Sequence, residues 1–326
     1  MTAPRSTVNR RDPALRASRP AGAIPWSRRS WLARLVEIAF LALPISCGDP
    51  VVEQRNASTD CESALALSFV PEIAAPESEA YVCFAFEVPG LANTIVRGVQ
   101  WVDPKGGTIL HHAKLSVTSE LRPTQAPFDC DPMPSDAFAL HVWVPGGSPL
   151  KLPVDVGLEL PPGARTLIVE AHVLRVSAAP AGTASVSLCR TVERPPKVAA
   201  WLGLQAPVPA IRPHYRESSV SRCDFSAAFH VLFAWPHMHL IGAEFHAARI
   251  TPTERTPVLD VVPWDFSEQR TYDTRFDVQP NDAVETGCTW ENPTAEYVLP
   301  GIFTKDEMCS LGLIGWPREG ANCSYE

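Results

Sequence analysis

The chain has 326 residues, 45% of them hydrophobic and 20% charged, with a formal net charge of −8. That length suits two ordinary domains, and the acidic balance lacks the basic footprint of a nucleic-acid-binding protein. Its 33 prolines, about twice the usual share, favour a loop-rich β protein over long helices.

The first expected element is an export signal over residues 1–47. Ser27-Arg28-Arg29-Ser30-Trp31-Leu32 has the form of a twin-arginine motif, and the apolar stretch 38–45 that follows is too short to span a bilayer. It ends at Leu43-Pro44-Ile45-Ser46-Cys47-Gly48, which resembles a bacterial lipoprotein cleavage site with Cys47 as the lipidated residue. A plain signal peptide or an N-terminal anchor is the alternative. Either way the protein is expected to be exported, to the periplasm or cell surface. A lipid on Cys47 would be its one attachment to the membrane.

Residues 48–60 are polar and aperiodic, as in a tether. Short β-rich runs then alternate with turn residues, at 81–86, 94–102, 110–117, 139–144, 166–174 and 184–189. Turns are signalled by Asp103-Pro104-Lys105-Gly106-Gly107, Pro145-Gly146-Gly147 and Pro161-Pro162-Gly163. Glu193-Arg194-Pro195-Pro196 breaks the pattern and makes 190–197 a linker. Strand-like runs resume at 229–234, 244–250, 271–276, 284–290 and 308–314. The expected fold is all-β, two tandem antiparallel β-sandwich (jelly-roll) domains over 61–189 and 198–323.

Besides Cys47 there are eight cysteines: Cys61, Cys83, Cys130, Cys189, Cys223, Cys288, Cys309 and Cys323. None forms a close Cys-x-x-Cys pair, which argues against zinc knuckles and thioredoxin-like sites. An even, scattered set in an exported chain reads as four disulfides, their pairing open at this point.

Five of the nine histidines fall in patterns that suit a metal. In Trp235-Pro236-His237-Met238-His239 two imidazoles at i and i+2 leave one side of a strand and can grip one ion. Two surface histidines are the plain alternative. The neighbours His111 and His112 point to opposite faces of a regular strand. Both reach one ion only at a bulge or strand end, or by using Nδ1 of one ring and Nε2 of the other. His172 sits in the apolar run 167–174, where a lone histidine reads as structural, as do His141, His214, His230 and His246. Near the end, Thr304-x-x-Glu307 has a capping-box pattern for a short helical turn. Met308 beside it reads as core filler, and Cys309 as half of a disulfide.

The order of these features carries more than any one of them. A histidine pair, a strand histidine, His-x-His and then Asp306-Glu307-Met308-Cys309 resembles the copper type II ascorbate-dependent monooxygenases, the family of the peptidylglycine α-hydroxylating and dopamine β-monooxygenases. The likeness spans about Cys61 to Cys323 and includes Phe229-His230-Val231 and Gly287-Cys288-Thr289-Trp290-Glu291-Asn292. It implies two copper ions, one on His111, His112 and His172 that stores an electron, and one on His237, His239 and Met308 that does the catalytic work with dioxygen. Ascorbate or an equivalent donor would recharge both, and a small substrate would be hydroxylated at an activated C–H bond. The resemblance also implies the pairings Cys61–Cys189, Cys83–Cys130, Cys223–Cys323 and Cys288–Cys309. Since the family binds substrate between its domains, Trp235, Ser310 and Gly312 become candidate pocket residues.

Departures matter too. Ala113 follows the histidine pair where the family usually has methionine. Trp235-Pro236 replaces the arginine that clamps a peptide carboxylate, and Ser310, Leu311 and Gly312 stand where asparagine and tyrosine are expected. A C-terminal glycine peptide is therefore not the expected substrate. Two other readings share the scaffold: a copper-storing envelope lipoprotein without catalysis, and a sandwich without metal.

Overall fold

The structure, a computed structural model, describes residues 51–55, 63–73, 78–103, 106–122, 127–130, 133–144 and 147–325. The expected export signal with Cys47 lies outside the described residues, as do Cys61, Pro104, Lys105, Pro145 and Gly146.

Strands dominate. The first half supplies β1 (Val51–Arg55), β2 (Ser63–Phe69), β3 (Glu79–Glu87), β4 (Ile95–Val102) and β5 (Thr108–Thr118). It continues with β6 (Phe128–Asp129), β7 (Phe138–Trp143), β8 (Leu150–Lys151), β9 (Val156–Glu159), β10 (Thr166–Arg175) and β11 (Ala184–Thr191). The second half holds β12 (Lys197–Gln205), β13 (Arg216–Phe225), β14 (Phe229–His237), β15 (Gly242–Ile250) and β16 (Arg255–Val261). It ends with β17 (Tyr272–Val278), β18 (Ala283–Glu291), β19 (Ser310–Trp316) and β20 (Cys323–Tyr325). A 3-10 turn at Arg318–Gly320 is the one helical segment among the described residues.

In the first half, a sheet ordered β1-β2-β11-β4-β9 and a sheet ordered β6-β3-β10-β5-β7 share a core that includes Leu65, Phe86, Leu115 and Leu188. In the second, β12-β19-β14-β17 and β16-β15-β18-β13-β20 enclose Leu311, Leu313, Phe245 and Trp290. The halves are not separate beads. β9 pairs in parallel with β12, Val156 opposite Lys197, so one sheet runs from the first sandwich into the second.

Two local differences from the sequence reading stand out. Five residues of the expected tether form β1, antiparallel to β2 with Val51 opposite Ser68, and so extend the sheet edge. The expected linker shortens to 192–196, because β11 runs to Thr191 and β12 opens at Lys197. At the expected 161–163 turn, Gly163 has φ +82° and the Ala164 amide donates to the Pro161 carbonyl at 3.1 Å.

Disulfides join Cys83 to Cys130, Cys223 to Cys323 and Cys288 to Cys309, each within one sandwich. Cys189 is also disulfide-bonded. Such bonds mark an oxidising, exported environment. No helix among the described residues is long and apolar enough to cross a membrane.

Candidate metal centres

On β10, Leu167, Val169, Ala171 and Val173 face the first core, so His172 and Glu170 project from the opposite face, toward the second sandwich. There β5 departs from regular register. His172 pairs with His112 while Val173 pairs with Leu110, leaving His111 as the extra residue of a bulge. A bulge re-aims a side chain, and here it lets consecutive histidines converge. Nδ1 of His111 lies 3.0 Å from Nδ1 of His172 and 3.2 Å from that of His112, and the third separation is 3.3 Å. All three rings use Nδ1.

These three residues form a group whose ligand atoms suit a metal ion. Glu79 Oε1 accepts from Nε2–H of His172 at 2.6 Å, which fixes the tautomer and leaves the Nδ1 lone pair pointing at the other two rings. Burial pushes His111 down to about 3, helped by the neighbouring His172, and holds His112 well below the ordinary imidazole range. His172 is lowered by burial despite the opposing carboxylate of Glu79. Three neutral imidazoles that turn their Nδ1 atoms this closely together can present three lone pairs to one cation between them. Their common centre is within about 2 Å of each nitrogen, the length of a metal–imidazole bond. The residues fit a bound metal.

The second cluster is built by the β14–β19 pairing. Register sets Trp235 opposite Gly312 and His237 opposite Ser310. The His237 and His239 rings lie 5.0 Å apart, centre to centre. His237 donates Nδ1–H to Gln269 Oε1 at 2.7 Å, and His239 donates Nδ1–H to the Asp306 carbonyl at 3.1 Å. Each ring therefore keeps Nε2 for a ligand, and Nε2 of His239 is buried without a partner. Burial lowers both histidines, His237 well below the usual value with His239 adding to the effect.

Met308 enters through its neighbour. Glu307, 1% exposed, accepts from the backbone amides of His239 (2.9 Å), Ile241 (2.8 Å) and Met308 (3.2 Å) and from the Trp290 indole (3.0 Å). Burial raises its carboxyl to about 7, against those four donors. One side chain thus ties the His239 loop to the segment carrying Met308, which the Cys288–Cys309 disulfide also holds. The helical turn suggested by Thr304-x-x-Glu307 is not formed; residues 302–306 are bends and turns. Thr304 donates to Glu79 instead, through its amide at 2.8 Å and its hydroxyl at 2.7 Å.

The two clusters adjoin, with the His112 and His237 rings 5.4 Å apart. A cavity of about 910 Å³ opens beside them, lined by His112, His237 and Met308 and by all three candidate pocket residues, Trp235, Ser310 and Gly312. A loop of the second sandwich also reaches back, stacking Phe266 on His111 at 4.3 Å. Sequence reasoning missed Glu79, Gln269, Glu307 and Phe266. The adjacency of Glu307 to Met308 was a usable signal for one of them. Glu79 is 93 residues from the histidine it orients, and no local pattern joins them. His230 and His246 pair with Asp277 and Asp260, and buried His141 accepts from the Trp101 indole.

Residues 201–324, which carry the second cluster, match the family model described as copper type II ascorbate-dependent monooxygenase, C-terminal domain. This region is similar to the C-terminal domain of the copper type II ascorbate-dependent monooxygenases.

Proposed function

We propose that the protein is a two-copper monooxygenase that hydroxylates an activated C–H bond of a small substrate, using dioxygen and ascorbate or an equivalent electron donor. The observation that carries this reading is the meeting of three buried imidazole Nδ1 atoms within 3.3 Å of one another. Beside them lies a second histidine pair whose Nδ1 atoms are engaged, which keeps Nε2 of each ring for a ligand.

On this reading His111, His112 and His172 hold one copper, and His237, His239 and Met308 hold the other. When bound, copper supplies one-electron redox chemistry and activates dioxygen, one oxygen atom entering the new C–OH and the other leaving as water with two electrons and two protons. The protein's part is to hold geometry. Glu79, Gln269 and the Asp306 carbonyl fix ring orientation, burial keeps the imidazoles unprotonated, and Glu307 locks the two segments of the second site together. Substrate enters the cavity at Trp235, Ser310 and Gly312.

The same reading makes residues 61–189 and 198–323 the two copper domains. It has the chain exported by the signal over 1–47 and held at the envelope by a lipid on Cys47. Copper analysis of the purified protein tests the core of it, with two ions per chain expected. No copper would sink it. Copper without substrate-stimulated, ascorbate-dependent oxygen uptake would favour storage instead.

A further inference from the structure

The cavity is walled by indoles where a side chain is absent. A Cβ on Gly312 would collide with the Trp201 ring, so the missing side chain is what lets that ring lie against β19. Trp201 and Trp235 stand 6.2 Å apart at 45°, and Trp235 stacks on His237 at 4.9 Å and 20°. Val142 and Leu311 extend the apolar surface. This puts two indole rings on the cavity wall next to the second histidine cluster.

The charges on the cavity cancel. Lys114 is bound to Glu170 at 2.8 Å, both lining the cavity, and Arg222 is bound to Asp224 at 2.9 Å. The Tyr81 hydroxyl donates to the Ile302 carbonyl at 2.7 Å. Each charged side chain on the lining therefore already has a partner of opposite sign. In the metal-free cavity, burying a carboxylate or ammonium would strip its water without offering an unpaired counter-ion. A flat uncharged face would instead gain dispersion and ring stacking from the indoles.

The geometry points to a neutral molecule with an aromatic face as the occupant of this cavity, selected by the Trp201–Trp235 wall and by the Lys114–Glu170 pair. This deepens the monooxygenase reading and rests on it for the cavity being the substrate site. The binding preference is read on the copper-free chain, where no metal ion on the lining can act as a counter-ion.

Three probes of one size separate the possibilities: 2-phenylethanol, phenylacetate and 2-phenylethylamine. Copper is measured on the protein as purified, and calorimetric titration is done on the same full chain after chelation. 2-Phenylethanol is expected to bind the chelated protein at least about tenfold more tightly than either charged probe. Trp201→Ala should weaken it by about tenfold. Glu170→Gln, which keeps the shape but unbalances Lys114, should strengthen phenylacetate by about tenfold. Phenylacetate or 2-phenylethylamine binding as well as the alcohol would overturn the proposal, as would no binding of the alcohol. So would an unchanged phenylacetate affinity in Glu170→Gln. If Trp201→Ala does not fold, the ranking in the unaltered protein and the Glu170→Gln result still decide. Failure of the copper reading shows separately, as a chain that binds the alcohol but holds no copper.

Discussion

At the scale of single residues, Met308 and Glu307 divide a task between them. Met308 offers a thioether and is half-buried at the cavity, whereas Glu307 accepts four hydrogen bonds and is buried. Met308→Ile changes chemistry at nearly constant volume, a swap that costs under about 1.5 kcal/mol in a core. Copper content is therefore expected to fall from two ions per chain to one, with turnover abolished and the thermal midpoint almost unmoved. Two retained coppers with normal turnover would remove Met308 from the site. Glu307→Ala strands three backbone amides and an indole in a buried setting, each costing about 1–3 kcal/mol when unsatisfied. Its loss should appear in urea denaturation as at least about 3 kcal/mol. An effect confined to activity, with stability intact, would contradict the organising role drawn from its four contacts.

At the scale of elements, the β3 strand and the 302–304 segment meet over the first histidine cluster. Glu79 accepts from His172 and twice from Thr304, while Tyr81, two residues on and on the same face, stacks on His172 at 4.3 Å and donates to Ile302. Burial works against ionisation of Glu79, but the bonds from Thr304 and His172 outweigh it and hold the carboxyl below its ordinary value. Glu79→Ala is expected to weaken copper binding at the first site by about 10–100-fold, the usual cost of losing a partner that orients a ligand. It should also speed amide hydrogen exchange at Thr304. Slowed or unchanged exchange there would show that the segment is held by something else.

The same elements show what the sequence could and could not tell. Runs such as 166–174 and 229–234 alternate or stay apolar because both of their faces are buried, and they emerge as β10 and β14 nearly as expected. β13 has no such signal. Its RESSVSRCDF lies at half-exposed to exposed positions over its first seven residues, so no apolar periodicity marks it. The consecutive pair His111 and His112 did announce that a bulge was needed, and the register supplies one. Gln269 could not be foreseen. It sits in a loop without a pattern, 32 residues from the ring it receives.

At the scale of the whole molecule, the shared sheet decides how the two sandwiches behave together. On β19, Leu311 and Leu313 enter the second core while Ile314 enters the first, and on neighbouring β14 Val231 and Leu232 divide in the same way. A strand with both faces buried belongs to two cores at once. Ala199 on β12 also packs into the first core, next to the parallel junction with β9. The first sandwich therefore cannot lose its packing without uncovering the outer face of β12, β14 and β19. Those strands in turn carry His237 and flank Met308. Calorimetric unfolding of the copper-free chain is accordingly expected to give a single transition, with calorimetric and van't Hoff enthalpies in agreement. Ile314→Ala, which empties a site 1% exposed, should lower that one transition by about 2–5 kcal/mol. Two resolved transitions, only one of them shifted by the substitution, would mean that the sandwiches fold independently and that the continuous sheet does not couple them.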